Sequence, residues 1–149
     1  MYQNILVPVD GSEIGACGLK EAIRLARSLH ARIRLVHVVN TTPWVTEGSP
    51  GAIEELITQF RSTGESIVHE AKRVVRAADI EVDSQLIEAM GERAGEFIVS
   101  EANDWPADLI VCGTHGRRRL RRLLMGGDAE YIVTHSPVPV LLVRGTSAS

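Results

Sequence analysis

The sequence predicts an α/β fold, one open parallel β-sheet with helices on both faces. Three observations predict it. Short, continuously apolar runs alternate with longer segments whose apolar residues recur at helical spacing, in the order βαβαβαβαβ. Gly, Asp, Ser and Pro gather at the junctions between them. The length of 149 residues, with 44% hydrophobic and 23% charged residues, suits a single globular domain.

Each element has its own warrant. Asn4–Val9 (NILVPV) reads as a first strand covered on both faces. Asp10-Gly11-Ser12 is turn chemistry, with Ser12 placed to cap the helix that follows. From Glu13 to His30, the residues Leu19, Ala22, Ile23, Ala26 and Leu29 mark one helical face. Arg32–Val39 (RIRLVHVV) is a second strand, and Asn40–Gly51, rich in Thr, Pro and Gly, is a loop. Ala52–Ala78 carries the longest helical stripe, through Ile53, Phe60, Val68 and Val75. Ile80–Ala89 is a third strand, Gly91–Ala102 a short helix and Asp108–Gly113 (DLIVCG) a fourth strand. Thr114–Gly127 is a long loop loaded with Gly and Arg. Asp128–His135 is a last short helix, and Val138–Val143 (VPVLLV) is the fifth strand. One domain is expected over residues 1–145, with 146–149 as a disordered tail.

Composition removes several function classes. Net charge is −3, yet Arg117, Arg118, Arg119, Arg121 and Arg122 crowd one loop. That pattern disfavours a globally basic nucleic-acid binder and favours one local cationic loop facing a small anion. Aromatic residues, at 4%, are too few for a base-stacking platform. No apolar run approaches the roughly 20 residues of a membrane span. Met1-Tyr2-Gln3-Asn4 leads straight into the first strand with no basic stretch and no cleavage site, so no signal peptide and a cytoplasmic location are expected. Cys17 and Cys112 are expected to be buried thiols in a reducing compartment.

In an open parallel sheet a ligand sits beyond the carboxyl ends of the strands, where strand order reverses. Two such ends carry turn residues, Val9-Asp10-Gly11 after strand 1 and Gly113-Thr114-His115-Gly116 after strand 4. Whether these two strands are neighbours is not readable from the residues themselves. Gly113, Gly116, Gly126 and Gly127 fall as G-x2-G-x9-G-G and end where a helix begins. Free N–H groups at a helix start bind phosphate, and glycine lets the backbone approach it. The G-x4-G-K-[ST] loop and the G-x-G-x-x-G fingerprint are both absent. His37 and His69 read as structural. No nucleophile–base pair stands out; hydrolysis needs a water-positioning residue and charge stabilisation, and only the second is visible.

Together these fragments resemble the universal stress protein family over nearly the whole chain. The matching pieces are Val9-Asp10-Gly11-Ser12, the spacing of Gly113, Gly116 and Gly126 against G-x2-G-x9-G-[ST], Gly91 with Asp108–Gly113, and Pro139-Val140-Leu141-Leu142-Val143. The resemblance implies a Rossmann-like sheet of strand order 3-2-1-4-5. It implies an adenine nucleotide in the crevice, ATP with or without magnesium. The implied nucleotide site comprises Pro8, Val9, Asp10, Val38, Gly113, Thr114, His115, Gly116, Arg117, Gly126, Gly127 and Asp128. In it Asp10 meets the ribose, the backbone near Val38 meets the adenine, and the glycine loop holds the phosphates. A homodimer is implied through Val138, Val140, Leu141, Leu142 and Val143, and Pro139 itself points to an unprotected edge strand. The chain departs from the family pattern at Gly127, where a Ser or Thr hydroxyl would donate to phosphate. Asp128 follows it, placed either to repel phosphate or to hold Mg²⁺. The expected function is an ATP-binding stress or signalling protein, with slow hydrolysis at most. The alternative is a dimeric interaction protein that has lost nucleotide binding.

Overall fold

The structure, a computed structural model, describes residues 1–40, 49–89, 93–114 and 127–145. The strands are β1 (Asn4–Pro8), β2 (Arg32–Asn40), β3 (Val82–Ala89), β4 (Leu109–Thr114) and β5 (Val140–Arg144). The helices described are α1 (Glu13–Leu29), α2 (Pro50–Ala77), α3 (Ala94–Asp104) and α4 (Gly127–His135). All strand pairs are parallel, in the order β3-β2-β1-β4-β5, as the resemblance implied. β1 is central, pairing Asn4 with Arg32 on one side and Ile5 with Leu109 on the other.

The continuous apolar runs exist because both faces of the sheet are covered. Ile5, Val7, Leu35 and Val111 point to one face and pack with Leu19, Ala22 and Ala26 of α1 and Ala71 and Val75 of α2. Leu6, Val36 and Ile110 point to the other and pack with Ile98 and Ala102 of α3, Ile132 of α4 and Trp105. Successive residues of one strand therefore serve two cores. No helix among the described residues is long and apolar enough to cross a membrane.

Several element ends differ from the sequence reading, each for a local reason. α2 begins at Pro50 rather than Ala52, because the Ser49 hydroxyl accepts from the Ala52 N–H at 3.4 Å and Pro50 opens the helix, where no N–H is needed. α3 begins at Ala94; Gly91, where the sequence reading starts this helix, lies outside the described residues. The helix start is fixed by Glu96, whose carboxylate accepts from the Arg93 N–H at 3.0 Å. β1 ends at Pro8, although Val9 still donates its N–H to the Val36 carbonyl at 2.8 Å. β3 begins at Val82 rather than Ile80, after a turn in which Asp79 is left-handed (φ 59). β5 begins at Val140 rather than Val138. The Val138 backbone is committed to a local turn, donating to the Ser136 hydroxyl at 3.1 Å and accepting from it at 2.6 Å. Pro139 contributes only its carbonyl, which accepts from Ile110 at 3.0 Å.

Candidate functional site

The order of the sheet makes β1 and β4 neighbours, so their carboxyl ends flank one crevice at the point where the chain reverses direction across the sheet. A cleft of about 150 Å³ opens there, closer to the scale of a heterocyclic base than of a whole nucleotide. Of the expected site residues, Pro8, Val9, Asp10, Val38, Gly113 and Asp128 line it. Gly127 opens α4 beside it. Thr114 ends β4, and its hydroxyl is buried without a hydrogen-bond partner among the described residues. His115, Gly116, Arg117 and Gly126 lie outside the described residues.

Local chemistry builds each wall. Asp10 Oδ1 accepts from the Ser12 N–H at 2.9 Å and from the Ser12 hydroxyl at 2.5 Å. The same hydroxyl accepts from the Gly15 N–H at 3.0 Å, capping α1 as the sequence predicts. Asp10 is exposed, and these contacts engage one carboxylate oxygen. Gly113 has a role the sequence reading did not assign. A Cβ there would stand 2.2 Å from the Ile14 carbonyl oxygen, so the glycine lets the start of α1 cross β4. That requirement holds with or without a phosphate.

Asp128 faces an unexpected partner. Its Oδ1 accepts from the Gly95 N–H at 2.9 Å, satisfying a free donor in the first turn of α3. The carboxylate, expected to act on phosphate, on magnesium or at the start of its own helix, thus also ties α4 to α3.

Residues that the sequence reading did not assign to the site complete the cleft, among them His37, Ala94, Ile98, Cys112, Ala129 and Ile132. Most sit on the sheet face shared with α3 and α4, and their direction depends on which face each strand residue takes. His37 Nδ1 donates to the Val9 carbonyl at 2.7 Å, which makes it structural, as expected, yet it also borders the cleft. Burial pushes the Cys112 thiol up to about 11, which keeps it protonated and unreactive. Cys17 is free but only half-buried, against the expectation that both thiols would be interior. His69 is exposed on α2. No cluster of three His, Cys, Asp or Glu suited to a metal occurs among the described residues.

The expected edge also divides. Val138 and Val140 pack on the α3–α4 core and Val143 on the α1–α2 core, whereas Leu141 is 38% exposed. Leu142 is half-buried. Of the five residues expected at a subunit interface, Leu141 is therefore the most open.

Comparison with known proteins agrees with this architecture. The sequence profile described as "Universal stress protein family" matches residues 1–144. A universal stress protein of Methanocaldococcus jannaschii is 31% identical over 97% of this chain and 83% of its own length. The universal stress protein YxiE of Bacillus subtilis is 30% identical over 97% of this chain and all of its own. A crystal structure of a family member from Burkholderia pseudomallei superposes with a TM-score of 0.76 at 29% identity, covering 95% of this chain and 96% of that one. More distant structures share the fold and hold adenine nucleotides. One universal stress protein is in complex with cAMP (20% identity, TM-score 0.71, 97% of this chain and 99% of that one). An Arabidopsis thaliana member has AMP bound (15%, 0.74, 97% and 93%), and an Archaeoglobus fulgidus member holds dAMP (22%, 0.64, 95% and 98%). With its sheet order, its carboxyl-end cleft and a family match over nearly its full length, the chain belongs to the universal stress protein family.

Proposed function

We propose that this chain binds an adenine nucleotide in the cleft between the carboxyl ends of β1 and β4. The observation that carries the reading is the convergence of Pro8, Val9, Asp10, Val38, Gly113 and Asp128 on one cleft from β1 and the turn after it, β2, β4 and α4. Its apolar walls suit a planar base, and Val38 presents strand backbone at its rim for the base edge. The Asp10 oxygen not engaged by Ser12 is the acceptor for a ribose hydroxyl. The start of α4 at Gly127 offers backbone N–H groups to phosphate. Relatives of the same fold hold cAMP, AMP and dAMP, which supports the adenine class. The glycine spacing taken alone points to ATP, with or without magnesium; the charges beside the phosphates decide which member of the class is held. The residues around the cleft bind and orient such a nucleotide. A dimeric interaction role without nucleotide is the second reading, favoured by the packing reason for Gly113 and by the charge of Asp128 beside the expected phosphates.

Isothermal titration calorimetry with adenosine, AMP and ATP tests the reading directly. Saturable binding of any of them, lost when Val38 or Ile98 is enlarged to Trp, supports it. Absence of binding by all three overturns it in favour of the second reading.

We further propose a homodimer through the outer edge of β5, where Leu141 is exposed and Pro139 leaves the edge apolar. Light scattering should report about twice the 16.2 kDa chain mass, falling to one chain in Leu141→Arg. A wild-type monomer at micromolar concentration would rule the dimer out.

A further inference from the structure

α4 is nine residues long, and its first turn holds two carboxylates, Asp128 and Glu130. The partial positive charge at a helix start is what attracts a phosphate, and a carboxylate in the same turn meets that field first. Asp128 is held in place. Its Oδ1 accepts from Gly95 in the first turn of α3 at 2.9 Å. The two helices meet so closely that a Cβ on Gly95 would lie 3.1 Å from the Asp128 carbonyl oxygen and 3.1 Å from Tyr131 Cβ. The carboxylate therefore bridges two helix starts while lining the cleft. Asp10 also lines the cleft.

We infer that Asp128 is the residue that sets how many phosphates the site accepts, biasing it toward a nucleoside or nucleoside monophosphate and against the triphosphate. The inference rests on the nucleotide reading above and deepens it. Base and ribose are neutral and meet the apolar wall and Asp10, so the carboxylate hardly affects them. Each added phosphate brings negative charge toward α4, where Asp128 opposes it. Asp128 is exposed, so solvent screens part of this repulsion and the discrimination is moderate rather than absolute.

Two substitutions separate the charge from the hydrogen bond. In Asp128→Asn the amide oxygen still accepts from Gly95 and the charge is gone; in Asp128→Ala both are gone. Affinities for adenosine, AMP and ATP are measured by calorimetry without magnesium, at low and at high salt, together with thermal unfolding. Wild type is expected to bind ATP no more tightly than AMP. Asp128→Asn should improve ATP relative to AMP by about three- to tenfold at low salt, the effect of one partly screened charge on the added phosphates. Adenosine affinity should stay unchanged, and the gain should shrink at high salt. Asp128→Ala should show the same shift in ligand preference with a lower unfolding temperature, because the α3 donor loses its partner.

An ATP-to-AMP ratio unchanged by Asp128→Asn, with adenosine still binding, overturns the inference and leaves the nucleotide site standing. Magnesium that tightens ATP in wild type but not in Asp128→Asn also overturns it, since the carboxylate would then be a cation ligand. Failure of adenosine, AMP and ATP to bind either protein overturns the nucleotide reading and this inference together.

Discussion

The two ends of the sheet leave very different spaces. At the amino end a groove of about 810 Å³ runs between the α1–β2 and α2–β3 turns, lined by Asn4, Arg27, His30, Arg32, Asp79 and Glu81 among others. At the carboxyl end the cleft is about 150 Å³. At the amino end, many of the polar groups already satisfy one another. Asp108 accepts from the backbone N–H groups of Gln3 at 2.8 Å and Asn4 at 2.9 Å. Arg32 donates to the Asn4 side chain at 2.8 Å, faces Glu81 at 3.7 Å, and lies 5.2 Å from the Trp105 ring centre. The carboxyl-end cleft combines apolar walls with a few convergent polar groups, one of them the Asp10 oxygen that Ser12 does not engage. Uncommitted polar groups against an apolar wall, and not volume, distinguish a ligand site from a surface groove.

The comparison can be broken at either end. The largest effect is expected from Gly113→Val. Its new side chain would begin 2.2 Å from the Ile14 carbonyl oxygen, and the backbone of α1 cannot yield cheaply. Destabilisation of about 3 kcal/mol or more is expected by thermal or denaturant unfolding. An unchanged midpoint would mean that α1 does not need this glycine, and the residue would then require a ligand to explain it.

Asp108→Ala is next. It leaves the N–H groups of Gln3 and Asn4 without their carboxylate acceptor, at a cost of about 1–2 kcal/mol, with adenosine affinity unaltered. A loss of ligand binding in a folded variant would contradict the assignment of the amino end as purely structural.

Asp83 tests charge on the same half of the sheet. Arg34 donates to it through Nε at 2.8 Å and Nη2 at 3.0 Å. That hydrogen-bonded guanidinium holds the Asp83 carboxyl below its usual range. Because the folded-state value is depressed, the stabilisation is present above the unfolded value of about 3.9 and is lost as pH falls through the folded one. Asp83 is half exposed, which limits the effect to at most about 1 kcal/mol. Asp83→Asn should thus be less stable than wild type at neutral pH, and the gap should close in acid. A gap that persists in strong acid would assign it to shape rather than charge.

The smallest effect belongs to His30, which ends α1 in the left-handed region at φ 55. His30→Gly relieves backbone strain but loosens the unfolded chain, for a net gain of about 0.5 kcal/mol. Ligand affinity should not move. A change in affinity would place His30 in a functional groove.

Local chemistry was legible in the residues. The Asp10-Gly11-Ser12 turn with its cap and the alternation of strands with helices each depend on near neighbours in the chain. Where the reading slipped, a second local signal was overruled. Gly51 suggested a loop, yet Ser49-Pro50 is a cap followed by a first helical residue, and the helix starts there. The Val138 run looked like strand, but Ser136 captures its backbone first.

By itself the sequence determined the order of elements, their faces and the turn residues that border the cleft. It could do so because capping, apolar period and proline geometry act over a few residues. Only the tertiary structure decided that Gly113 serves the crossing of α1, that His37 and Cys112 border the site, and that Asp128 reaches Gly95 across 33 residues. These depend on which elements become neighbours once the sheet is ordered around β1, and on the face each side chain then takes. Long-range packing fixes both, and no local pattern encodes them.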